Sequence, residues 1–148
     1  MKICEGRKLR TSFISILVVD DFRPWLRFLE ERISEVPEMR VIGQALDGVE
    51  AIQKAEQLQP DIILLDIGLP MLNGIEAAVQ IKKVAPKSAI LFVSESHDPI
   101  VVRDALKAGG LGYVLKTKVV QDLRAGIEAA LVGERFISPE LMESNERY

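Results

Sequence analysis

Five short apolar runs, each followed by a stretch of helical spacing, alternate strictly along the chain, and this limits the fold more than any other feature. The runs are Phe13 to Val19, Val41 to Ala45, Ile62 to Leu65, Ala89 to Val93 and Tyr113 to Leu115. They are apolar without in/out alternation, the pattern of strands buried on both faces of a parallel sheet. Between them lie amphipathic segments. Pro24 suits a first helical turn, ahead of Trp25, Leu26, Phe28, Leu29 and Ile33 at helical spacing. Asp47 and Glu50 predict a capping box for a second helix that stops before Pro60. Ile75 to Val84 predicts a third. Asp98-Pro99 opens a fourth through Ala108, and Gly109-Gly-Leu-Gly112 breaks it. Val119 to Val132 predicts a fifth, with Gly133 as its stop.

Alternating β–α units with right-handed crossovers give a parallel sheet with helices on both faces. At 148 residues the chain is too short for a closed eight-unit barrel, so the sheet is expected to be open, an α/β fold. The expected organisation is an N-terminal extension at 1–12, one domain at 13–133, and a tail or linker at 134–148. The extension carries Lys2, Arg7, Lys8 and Arg10 but no long apolar run, so a signal peptide is not expected. No run approaches the length of a membrane span. The net charge of −3 argues against broad nucleic-acid binding. Cys4, the single cysteine, cannot form an internal disulfide, and a cytoplasmic home is expected.

Ligands of open parallel sheets bind at the carboxyl ends of the strands. Asp20 and Asp21 follow the first run, Asp66 the third, Ser94 the fourth and Lys116 the fifth. Each alone has an ordinary use as a cap, a turn residue or a solvated charge. Together they put three carboxylates, a hydroxyl and an ammonium on one edge. Crowded carboxylates repel unless a cation joins them, and a hard divalent ion such as magnesium suits oxygen ligands. A carboxylate can attack phosphorus to give an aspartyl phosphate, a reaction governed by positioning and charge stabilisation. In this reading Asp66 is the phosphoacceptor, Asp20 and Asp21 serve the metal, and Lys116 offsets charge. The Ser94 hydroxyl contacts a phosphoryl oxygen only in the modified state, the natural trigger for a change of shape.

Four stretches carry a family resemblance: Val18-Val19-Asp20-Asp21, Asp61 through Gly74, Ile90-Leu-Phe-Val-Ser94, and Lys107 through Lys116. In these the chain resembles the response-regulator receiver domains of two-component signalling. The resemblance covers about Ile14 to Gly133 and implies a flavodoxin-like sheet of five strands, order 2-1-3-4-5, with five helices. It implies phosphorylation of Asp66 by a sensor histidine kinase, with Mg2+ as cofactor and Mn2+ as a substitute. It implies that the Gly68 backbone carbonyl completes the metal shell and that Tyr113 is an aromatic switch moving with Ser94. Pro70 and Gly74 shape the loop after Asp66. No separate turnover of a substrate is expected. Gly133 to Leu141 resembles the linker of the NarL/FixJ-like (LuxR-type) subgroup, which leads to a DNA-binding helix-turn-helix. DNA contact is therefore expected only through an output domain outside this chain, with homodimerisation a family expectation and no membrane partner. Gly68 and Glu95 depart from the family pattern, and an altered phosphoryl lifetime is expected. A receiver used only as a protein-interaction module is the main rival. An aspartate-nucleophile phosphohydrolase fits poorly, because Gly68 stands where a second aspartate would act as acid and base. A flavin domain also fits poorly, because Asp20-Asp21-Phe22-Arg23 would repel a phosphate.

Overall fold

The computed structural model describes residues 12–142. Cys4, the basic residues before Ser12 and the residues after Met142 lie outside the described residues. Chain order is β1 (Ile14–Val19), α1 (Arg23–Ser34), β2 (Met39–Ala45), α2 (Gly48–Leu58), β3 (Ile62–Leu65), α3 (Gly74–Val84) and β4 (Ala89–Ser94). It continues through α4 (Pro99–Lys107), β5 (Gly110–Leu115), a 3-10 turn (Lys116–Lys118), α5 (Val119–Leu131), β6 (Phe136–Ile137) and α6 (Pro139–Met142).

The strands form one parallel sheet in the order β2-β1-β3-β4-β5-β6. The five expected strands keep their expected order, but the counts of five strands and five helices are corrected to six and six among the described residues. The added strand pairs Phe136 with Gly112 and Ile137 with Tyr113. Two residues are too few to leave a periodic pattern, which is why the sequence does not announce it.

Strand residues alternate between two apolar layers. Leu17, Val19, Ile63 and Leu65 face α2, α3 and α4, packing with Ala51, Ala77, Ile81 and Val102. Ile16, Val18, Ile62 and Leu64 face α1 and α5, packing with Leu26, Leu29, Leu123 and Ile127. Each fully buried Leu or Ile contributes about 1.5–3 kcal/mol. Burial on both faces explains the unbroken apolar runs.

Helix starts place the loops at the carboxyl edge. The Asp47 carboxylate accepts from the Glu50 N–H at 2.7 Å, as expected of an N-cap. The Glu50 side chain, however, accepts from the Leu46 N–H at 2.8 Å, so the reciprocal arm of the expected capping box lands one residue earlier. A complete box forms instead at α3, between Asn73 and Glu76. Gly74 at the start of that helix lies against the Asp66 backbone. A methyl group on its Cα would stand 2.0 Å from the Asp66 carbonyl oxygen. Gly74→Ala should therefore push α3 off β3 and cost on the order of 3 kcal/mol, measured by urea unfolding. β5 begins at Gly110, three residues before the expected Tyr113. Gly112 acts there as a close-packing residue, since a Cβ would meet the Phe136 carbonyl oxygen at 2.6 Å.

Candidate functional site

The carboxyl ends of β1, β3, β4 and β5 surround a cavity of about 600 Å3 lined by Asp20, Asp21, Asp66, Gly68, Ser94, Glu95 and Lys116. All the polar side chains expected at this edge are therefore brought together. Parallel pairing in register does this: Val19 stands beside Leu65, Leu65 beside Phe92, and Ser94 beside Leu115. Asp20, Asp66 and Lys116 follow directly on paired strand ends and Ser94 is such an end, so all four share an edge.

Asp20 is buried and heavily committed. Its Oδ1 accepts from the Phe22 N–H at 2.9 Å, and its Oδ2 accepts from the Lys116 ammonium at 2.6 Å. The ammonium also stands 3.6 Å from Asp66 Oδ1. Lys116 thus bridges two buried acids, with only 13 % of its side chain exposed. Its Nζ also lies 5.2 Å from the centre of the Trp25 ring. An aromatic face offers a cation about 2 kcal/mol when solvent is excluded. Sequence reading placed Trp25 only among the apolar positions of a helix and missed this contact. Its position one turn after the acidic pair was the available signal.

Burial pushes the Asp66 carboxyl up from 3.8 to about 6. The Lys116 charge opposes that rise, the Asp20 charge adds to it, and the Ile67 N–H works against it. Asp66 is consequently ionised at neutral pH but poorly solvated, which suits a nucleophile. Asp20, Asp21 and Asp66 each offer a carboxylate oxygen, all within 4.8 Å of one another. Hard oxygen donors at that spacing, with Asp21 open to solvent, fit a small divalent cation, and the cluster can hold a metal ion.

Ser94 is buried at the end of β4, where its Oγ accepts from the Ser96 N–H at 3.1 Å. Tyr113 is fully buried and donates its hydroxyl to the Ser96 carbonyl at 3.0 Å. The loop after Ser94 therefore connects the cavity to Tyr113. Gly68 has open space where a side chain would begin, and Glu95 is exposed at the cavity wall. Among the described residues no helix is long and apolar enough to cross a membrane.

Comparison with known proteins agrees with this geometry. The sequence pattern of the response regulator receiver domain matches residues 16–128. The nitrate/nitrite response regulator protein NarL of Escherichia coli is 37% identical over 128 residues, covering 86% of this chain and 59% of that protein. The response regulator protein VraR of Staphylococcus aureus is 33% identical over 129 residues, covering 87% of this chain and 62% of that protein. This chain thus spans about three fifths of the length of these relatives. A crystal structure of a LuxR-family two-component response regulator from an Aurantimonas species superposes with a TM-score of 0.85. It is 31% identical, over 89% of this chain and 94% of the other. With the receiver pattern running from β1 into α5 and relatives of NarL and LuxR type sharing about a third of its residues, this chain belongs to the response regulator receiver family of two-component signalling.

Proposed function

We propose that the chain accepts a phosphoryl group on Asp66 from a sensor histidine kinase, in a Mg2+-dependent reaction, and changes its interaction surface in response. The observation that carries this reading is a buried, ionised Asp66 flanked by two further carboxylates and a desolvated lysine. In the transfer, an Asp66 carboxylate oxygen attacks phosphorus. The bond from phosphorus to the donor's histidine nitrogen breaks, and its electron pair stays on that nitrogen. Charge spreads over the phosphoryl oxygens as this happens, so fixed cations do most of the work. Lys116 is within reach of those oxygens, standing 3.6 Å from Asp66 Oδ1. Asp20, Asp21, Asp66 and the Gly68 carbonyl would hold a Mg2+ ion, which would add further positive charge at the site.

After transfer, Ser94 is the group that reads the product. Its hydroxyl donates to a phosphoryl oxygen, its Oγ leaves the Ser96 N–H as it turns, and the Ser96 carbonyl moves with Tyr113 attached. The chain is a phosphoacceptor rather than a turnover enzyme, working in the cytoplasm. By likeness to NarL and LuxR-type relatives, its output is regulation of transcription through a DNA-binding region beyond the receiver, with homodimer formation as the step between. Gly68 leaves the cavity open beside Asp66, and Glu95 adds negative charge at its wall, so both set the lifetime of the phosphoryl group.

The test is incubation with acetyl phosphate and Mg2+, followed by intact mass. One added phosphoryl group is expected, blocked by EDTA and accompanied by a fluorescence change from Trp25, the single tryptophan. A protein that stays unmodified over hours would leave only an interaction module.

A further inference from the structure

The last helix among the described residues, α6, is fastened to the rest of the molecule in an informative place. Glu140 Oε2 lies 2.9 Å from His97 Nε2, and Glu140 Oε1 lies 3.4 Å from Lys118 Nζ. His97 sits three residues past Ser94, on the loop that holds the Tyr113 hydroxyl. Lys118 sits two residues past Lys116, in the 3-10 turn that follows β5. One carboxylate therefore ties α6 to both loops that carry phosphoryl-contacting residues. The His97 hydrogen bond and the Lys118 charge hold the Glu140 carboxyl below its ordinary range, although modest burial works against them.

The root of the segment is built differently. Ser138 is fully buried, accepts from the Leu115 N–H at 3.0 Å and donates to Asp122 at 3.0 Å. Its own N–H donates to the Tyr113 carbonyl at 2.9 Å. Those partners are backbone groups inside β5 and a side chain of α5, held in regular structure, so Ser138 is the fixed end of the segment. Beyond it, Leu141 enters the apolar cluster that contains Val102, Leu106 and Tyr113. The side chains of the fastening are more than a third exposed, so its pairs are weak and readily exchanged.

We propose that α6 is a latch on the state of Asp66: Glu140 fastens it to the Ser94 and Lys116 loops of the resting protein, and a phosphoryl group at Asp66 draws those loops inward and loosens it. The proposal rests on the phosphoacceptor reading above. Loosening α6 lifts Leu141 from its seat against the cluster around Tyr113, so the apolar surface uncovered depends on the phosphoryl state. Coupling of this kind is reciprocal, so a change that opens the latch must also favour occupancy of the site.

The experiment uses beryllofluoride with Mg2+ as the phosphoryl mimic. Fluorine NMR reports its binding, and amide hydrogen exchange is followed at Leu141, whose N–H donates to the Ser138 carbonyl. With the mimic bound, the Leu141 amide should exchange about two- to fivefold faster, while the Ser138 amide stays protected. Glu140→Gln should show the faster exchange without the mimic and bind the mimic about two- to fivefold more tightly than the wild type. Glu128→Gln removes the same charge from an exposed site on α5 and should bind like the wild type. Unchanged Leu141 exchange with the mimic bound overturns the latch, as does a Glu140→Gln affinity no higher than that of Glu128→Gln. A missing bound-fluorine signal is a different result, which overturns the phosphoacceptor reading and the latch with it.

Discussion

Replacing Asp66 with asparagine is expected to stabilise the metal-free protein at neutral pH by about 2–3 kcal/mol. The direction follows from the raised carboxyl, which titrates near 3.8 when unfolded and at about 6 when folded. Between those values the folded chain binds more protons than the unfolded chain, so stability falls as pH rises. The contribution of Asp66 is therefore fully present below pH 3.8 and lost once pH passes about 6. Asparagine has no such titration. The gap between Asp66→Asn and wild type should be largest at pH 7 and close towards pH 4, as measured by urea unfolding in EDTA. A variant less stable than wild type at pH 7 would contradict the assigned burial and crowding. Added Mg2+ should narrow the gap from the wild-type side, because a cation relieves the repulsion that asparagine removes.

Lys116→Met should have the opposite sign, costing about 3 kcal/mol in the metal-free protein. The lysine is the near partner of Asp20, which is 1 % exposed and would be left as a buried charge with only the Phe22 N–H. Removing both members of a buried pair costs far less than removing one. Asp20→Asn in the same chain should therefore recover most of the loss, and this double-mutant cycle separates pairing from packing. The same substitution should slow phosphoryl uptake about 100-fold, the usual scale for removing one charge-stabilising group. A cost below about 0.5 kcal/mol, the scale of an exposed pair, would mean that Lys116 is solvated and does not bridge the acids.

These two effects mark where the sequence was readable and where it was not. Apolar runs and helical spacing placed five strands, and parallel pairing forced Asp20, Asp66, Ser94 and Lys116 onto one edge. Adjacency at an edge does not say which charge pairs with which. That Lys116 lies nearer Asp20 than Asp66 depends on side-chain reach and on Trp25, neither of which spacing encodes. β6 was invisible for a related reason. Phe136 and Ile137 are held by backbone pairing to β5 and by the hydroxyl of Ser138, contacts that leave no periodic mark. The glycines at 110 and 112 read as the break after the fourth helix, because glycine weakens helix and strand interiors alike. Here they let Phe92 and the Phe136 backbone approach closely. The Asn73–Glu76 box, by contrast, has the same three-residue spacing as Asp47–Glu50, and spacing alone does not say which of the two closes.

The central claim is that Asp66 is the residue that takes the phosphoryl group. The direct measurement is treatment with acetyl phosphate and Mg2+, borohydride reduction of the acyl phosphate, and peptide mapping by mass spectrometry. The result expected is one reduced site, at Asp66, absent in EDTA and absent from Asp66→Asn. Reduction at Asp20 or Asp21 instead, or equal labelling of Asp66→Asn, would contradict it.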